Sequence, residues 1–405
     1  MKYLKFLAIA FSITLFSCKK DKDNTIENTN EPAIIPHIHI NVDNEAEVNT
    51  KANYLPAEII IDGKNKYESY EGRTGIRGRG NSSWSFPKKP YKLKLDAKEP
   101  LFGMAPYKKW ILLAEYLDGS MLYNSIPFKA AEMLGIPYTN NVVPVELTIN
   151  KEYRGFYVFM EHKEVGLDRI DIGEDGVLLE LDAYYDEDWQ FKSDKFDLPV
   201  MVQYPKSSNM TGNKLIEIRD EFEVFEALVA DPSFPNNNYL DYFDDLSFVN
   251  YMIIYELTQN REISHPKSTY MNKKKNGKFR MGIIWDFDWG FGYSFNQQHY
   301  DLGSVNTPTF ADASYPGTDF FTKFMDDPHL QQLFAERWNW FRANKFRDLK
   351  RHVKEYAELV RQAMEADHQV WGARNSSGDI DVDLLNALSW LEARANYIDN
   401  YISSF

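Results

Sequence analysis

A single cysteine, Cys18, in 405 residues removes two classes of architecture at once. There is no disulfide framework, and no thiolate metal site can be assembled. Long apolar runs are also missing. The stretch at the start, MKYLKFLAIAFSITLFSC, has an apolar part too short to span a bilayer. No repeat or low-complexity linker divides the remainder of the chain. Positive charge is in the minority: 46 Lys and Arg against 60 Asp and Glu leave a formal charge of −14. That balance argues against nonspecific binding to nucleic acid or to an anionic membrane surface, and no nucleic-acid partner is expected. Hydrophobic residues at 43% and aromatics at 15% supply ample material for a core.

Lys2 and Lys5 precede the apolar stretch of residues 1–18, which reads as a secretory signal. Its ending, Leu15-Phe16-Ser17-Cys18, resembles a bacterial lipobox, so Cys18 is expected to carry lipid and to anchor an exported protein in a periplasmic or surface-facing membrane. Residues 19–33 are polar and charged, as a flexible tether is. The main domain is expected over 34–345, with 346–405 as a helical extension packed on it.

Charge is unevenly placed. Arg73 to Lys94, RTGIRGRGNSSWSFPKKPYKLK, holds seven basic residues and no acid. Glycines allow its backbone N–H groups to be exposed, and Arg79, Asn81 and Ser82 add side-chain donors. Tyr91, Leu93 and Leu95 are expected to face a core, leaving Lys92 and Lys94 on the opposite face. The stretch is either a polyphosphate cradle or a solvated basic hairpin. Far downstream, Lys278 to Tyr293 reads KFRMGIIWDFDWGFGY. An apolar strand is expected from Phe279, and if it persists through Asp288, Asp286 and Asp288 project from one face. Two such acids beside Gly290 and Gly292 suit Mg²⁺; the other reading is a strand ending in a turn whose Asp side chains bond their own backbone.

Glu161 and Glu180 each end an apolar strand, where an unpaired carboxylate is costly; each is expected at the cofactor-binding site, paired with a cradle lysine, the other reading being a pair with a core arginine. The loop Asn260 to Lys267 carries Glu262, His265 and Lys267, groups suited either to catalysis or to capping the preceding helix. A helix is expected from Asp118 to Leu134, with Asn124 on its surface. Residues 184–210 read as an irregular insertion. Strands cluster before Asp182 and helices dominate after Leu215, which predicts an α+β fold built on a mixed or antiparallel sheet.

Arg77-Gly78-Arg79-Gly80-Asn81-Ser82-Ser83-Trp84, Pro87-Lys88-Lys89-Pro90-Tyr91-Lys92-Leu93-Lys94 and Trp285-Asp286-Phe287-Asp288-Trp289-Gly290-Phe291-Gly292, in this order, resemble the spore-coat CotH kinase family. The resemblance runs from about Ile35 to Phe341. It implies an atypical protein-kinase-like fold that uses Mg²⁺ and ATP to phosphorylate serine on a protein substrate. It places Asp286 at the metal-binding aspartate, with Asp288 beside it, and Lys92 or Lys94 on the nucleotide phosphates. The family's Asn-x-Asp falls at Asn260-Arg261-Glu262, where Asn260 is expected among the metal ligands and Glu262 takes the place of the catalytic aspartate and reaches one methylene further. A surface or adhesin-like binding protein that keeps the fold without catalysis is the alternative.

Overall fold

The computed structural model describes residues 34–293 and 299–405. The stretches expected to be an export signal and a tether, with Cys18, lie outside them. The first seven strands close into a barrel. β1 (His37–Val42) pairs antiparallel with β2 (Leu55–Asp62), and β3 (Tyr70–Gly78), β4 (Tyr91–Glu99) and β5 (Tyr107–Leu113) continue it as an antiparallel meander. β6 (Val142–Ile149) and β7 (Glu152–Glu161) form a hairpin; β7 pairs with β5, and β6 returns parallel to β1. Closure leaves these strands no unpaired edge.

Period-two alternation sorts the side chains. Ile38, Ile59, Ile76, Leu93, Trp110 and Phe159 fill the barrel, and Tyr91, Leu93 and Leu95 are buried while Lys92 and Lys94 point outward. β7 is apolar without alternation because both of its faces are covered. Tyr157 and Phe159 enter the barrel, whereas Phe156, Val158 and Met160 join a second core shared with helices.

α1 (Ser125–Leu134) leads from the barrel toward that core. The helix expected from Asp118 begins later, because Asp118 holds a turn: its carboxylate accepts from the Ser120 hydroxyl and the Tyr123 N–H, both at 2.6 Å. Asn124, expected on the surface, is buried at the start of α1. The second sheet is built from β8 (Val177–Leu181), β9 (Gln190–Lys192), β10 (Pro199–Tyr204), β11 (Thr269–Lys273) and β12 (Arg280–Met281). Its order is β12-β11-β8-β10-β9, with every pair antiparallel. Residues 184–210 are therefore not an irregular insertion. Phe191, Val200 and Val202 bury one face of β9 and β10, a pattern too short to stand out among polar neighbours.

α2 (Gly212–Ala230) and α3 (Asp245–Thr258) cover this sheet, and α4 (Pro316–Lys323), α5 (Pro328–Asn344), α6 (Phe346–Trp371) and α7 (Ile380–Ile402) complete the chain. The fold is α+β, as expected; the closed barrel is the part that composition did not foreshadow. α6 lies hard against β7 at Gly155, whose φ is 90° and whose added Cβ would stand 2.2 Å from Asp367 Oδ1. The buried Asp367 carboxylate accepts from the Phe156 N–H at 2.9 Å and from Lys88 Nζ at 2.5 Å, and Arg374 stands 2.8 Å from its other oxygen. In α7, buried Arg394 donates to the carboxylate and the carbonyl of Glu256 on α3, each at 2.6 Å. Residues 346–405 thus hold the chain that carries Lys88, and that chain borders the cleft.

Candidate functional site

A cleft of about 560 Å³ lies between the outer face of β3, β4 and β5 and the second sheet. Eight of the residues singled out by sequence line it: Arg79, Asn81, Ser82, Lys92, Glu180, Glu262, Asp286 and Asp288. Lys51, Arg77, Lys163 and Lys267 add positive charge, and Asp182, Asp186 and Glu187 add negative charge. The barrel side is mostly cationic and the opposite side mostly anionic.

On the barrel side, Lys92 sits across from Arg77 on β3 and Ile111 on β5. Burial, reinforced by the neighbouring charges of Arg77 and Lys109, pulls its pKa down to about 7. Lys94, one period further along, is exposed and outside the cleft, its ammonium 5.9 Å from the Tyr54 ring centre. The structure thus separates two lysines that the sequence leaves equivalent. The loop after β3 is pinned at its neck, where the Arg79 N–H donates to Pro90 O at 3.2 Å. Gly80 holds φ 86°, and a Cβ there would lie 2.1 Å from Ser83 Oγ. Asn81 reaches across the mouth to Asp186 at 3.3 Å.

On the acidic side, the expected strand through Asp288 is not formed. β12 stops at Met281, and Asp286 takes φ 57°, turning the chain so that the carboxylates meet through a turn rather than a shared strand face. Burial raises the pKa of Glu262, Asp286 and Asp288. Asp286 raises both neighbours further, while its own shift is opposed first by the Arg79 guanidinium. Glu262 Oε2 has no hydrogen-bond partner among the described residues. Asn260, expected among metal ligands, lies beneath the cleft: its Nδ2 donates to Asp286 O at 2.8 Å and its Oδ1 accepts from the Glu262 N–H at 3.2 Å. It fastens the two acidic loops to each other.

Glu161 lies outside the cleft. Its Oε2 accepts from the Asn141 backbone N–H at 2.8 Å, and the core Arg169 stands 4.0 Å from its other oxygen. Glu180 pairs with neither a cradle lysine nor a core arginine; its partner is Lys163, at 2.8 Å, with the Tyr270 hydroxyl bonded to both. Lys163 comes just after the end of β7, and Tyr270 stands directly across from Glu180 in the β8–β11 pairing. Sequence reasoning missed both, and also His162 in the cleft wall, whereas Lys267, named with the Asn260 loop, does line the cleft. The one local signal was a lysine two residues beyond the strand-ending Glu161.

A family model described as CotH kinase protein matches residues 76–403. The chain belongs to the CotH kinase family. The match begins in β3 with the cradle and runs through α7, so it extends past Phe341 to include the C-terminal helices. No curated protein matches the chain. Membership in the CotH kinase family joins the cradle, the Asn260 loop and the Asp286 turn into one site, because all three fall inside the matched range and line or underpin one cleft.

Proposed function

We propose that this cleft carries out Mg–ATP-dependent transfer of a phosphoryl group to serine on a protein substrate, on an atypical protein-kinase-like arrangement. The observation that carries the reading is the opposition of a cationic wall to three carboxylates, the half-buried Asp286 and Asp288 and the buried Glu262, which keeps an oxygen without a donor. That donor set is hard and anionic, and it fits a divalent cation held by Asp286 and Asp288. Mg²⁺ bound there would neutralise charge developing on the phosphates. Arg79, Asn81, Ser82 and Lys92 bind the phosphates, and Glu180 holds Lys163 beside them. Glu262, whose burial raises its proton affinity, acts as the carboxylate: it accepts the serine hydroxyl proton as the serine oxygen bonds to phosphorus and ADP departs.

Mg–ATP is expected to raise the melting temperature of the purified protein and to label a serine-containing substrate. No stabilisation and no labelling would end the reading. A second reading, binding at the cell surface without catalysis, is favoured by Glu262 at the family's aspartate; stabilisation without labelling selects it.

Lys92 gives a pH-dependent prediction. With a folded-state pKa near 7 against the usual 10.5, the free protein lacks a proton that the unfolded chain carries between those limits. Stability of the nucleotide-free protein therefore rises with pH across that window through this group. A bound phosphate favours the ammonium, so nucleotide binding at pH 8 is expected to take up a proton. Calorimetry in two buffers of different ionisation enthalpy reads this directly. Equal uptake in the wild type and Lys92→Met refutes the role of Lys92.

The proposed setting is an exported lipoprotein anchored through lipid on Cys18. Among the described residues no helix is long and apolar enough to cross a membrane. Cys18→Ser is expected to move the protein from the membrane fraction to the soluble one; unchanged fractionation refutes the anchor.

A further inference from the structure

We propose that a hard divalent cation binds in a side chamber beneath the cradle, held by Glu115, Asn124 and Asp288, before any nucleotide arrives. The inference builds on the reading of Asp288 as a cation-holding group and adds two ligands from the segment between β5 and α1.

The chamber adjoins the cleft and has a volume of about 50 Å³, enough for an ion with a water or two. Glu115, Asn124, Asp286 and Asp288 all line it. Asn124 is only 5% exposed. Its Nδ2 donates to Glu115 Oε1 at 2.8 Å, which fixes the orientation of the amide. The remaining oxygen, Oδ1, meets no donor among the described residues. A buried carbonyl oxygen left without a donor beside carboxylates is costly, and a cation relieves that cost.

The two cationic side chains bordering the chamber are already engaged. Lys88 is bonded to Asp367, and Arg79 lies over Trp285, 5.8 Å from the ring centre, where its charge acts mainly on Asp286. Backbone geometry adds a second mark. Glu115 at φ 49° and Asp286 at φ 57° both hold left-handed conformations that a non-glycine residue adopts at a cost. Asp118, close by in sequence, is different, since both of its oxygens are taken by the Ser120 hydroxyl and the Tyr123 N–H. Among the described residues no three acidic or histidine side chains converge as a closed metal site. Two carboxylates and an amide oxygen leave open positions for water, the way Mg²⁺ and Mn²⁺ are commonly held.

The test uses the folded chain without nucleotide and Mn²⁺ as the probe, read by electron paramagnetic resonance. A saturable Mn²⁺ site is expected in the wild type. Glu115→Gln keeps the shape, removes the charge of one ligand, and is expected to weaken Mn²⁺ binding about 10-fold or more. Asn124→Asp places a carboxylate where the amide oxygen stands and is expected to tighten binding, a gain that only a folded protein can show. No saturable Mn²⁺ site in the wild type, or an affinity that Asn124→Asp leaves unchanged or weakens, overturns the chamber site. Mg–ATP stabilisation of the wild type is measured alongside. Its failure with the Mn²⁺ results intact removes the phosphotransfer reading and leaves the cation site standing.

Discussion

Asp286→Asn is expected to fold as the wild type does and to lose phosphoryl transfer by on the order of 10²-fold or more, the scale typical of removing a preorganised electrostatic contact. Asparagine is the substitution to use. It is nearly isosteric, and with aspartate it is among the few side chains that tolerate the left-handed backbone found at this position. Two effects on the free protein oppose each other. Repulsion between Asp286, Asp288 and Glu262 is relieved, while Arg79 loses the carboxylate that most favours its charge. The melting temperature without ligand therefore moves little, whereas the gain from Mg–ATP disappears. Unfolding curves with and without Mg–ATP, run beside a labelling assay, give both numbers. A mutant that keeps the full Mg–ATP gain and still labels substrate refutes the placement of the cation at Asp286. One that is merely unstable marks Asp286 as a structural turn residue.

Asp367→Asn is expected to cost about 3–5 kcal/mol of folding stability, because it strands a buried cation without its counter-charge. Lys88 and Asp367 are both 0% exposed at the side chain, and Arg374 beside them is 6% exposed. Asparagine still accepts from the Phe156 N–H, so the loss isolates charge rather than backbone hydrogen bonding. Lys88→Met in the same chain is expected to recover a large part of it, with a coupling of about 0.5–3 kcal/mol between the two sites in a double-mutant cycle. Denaturant titrations of the four proteins measure it, and strictly additive losses refute the pairing.

Much of the site was legible because local rules dominate there. Alternation in Tyr91–Leu95 put Lys92 on an outer face, and the lack of acids from Arg73 to Lys94 marked the cationic wall. What stayed hidden depends on pairings distant in sequence. β1 lies parallel to β6, with His37 opposite Glu146, and no local pattern announces the closure of the barrel. The Glu180 partner is likewise fixed by the strand that comes alongside: β11 brings Tyr270 opposite it, and Lys163 arrives from the end of β7. Asn124 was read as a surface residue from polarity alone, yet its position is set by Glu115, nine residues earlier and also buried. At Asp286, a single φ in the left-handed region replaced the expected strand, and two neighbouring glycines signalled a turn without giving its place.

The bond between Lys88 and Asp367 spans 279 positions of the chain. A polypeptide emerging with its N-terminus first releases the whole basic loop, the barrel and the acidic turn before the residue that neutralises Lys88 exists. Contacts so distant in sequence close late, because the entropy of the intervening loop must be overcome first. The cationic wall accordingly reaches its final form only once the C-terminal helices have docked. A chain truncated before α6 would carry every residue of the cleft and still lack a finished one, so completeness of the polypeptide acts as a checkpoint on the site.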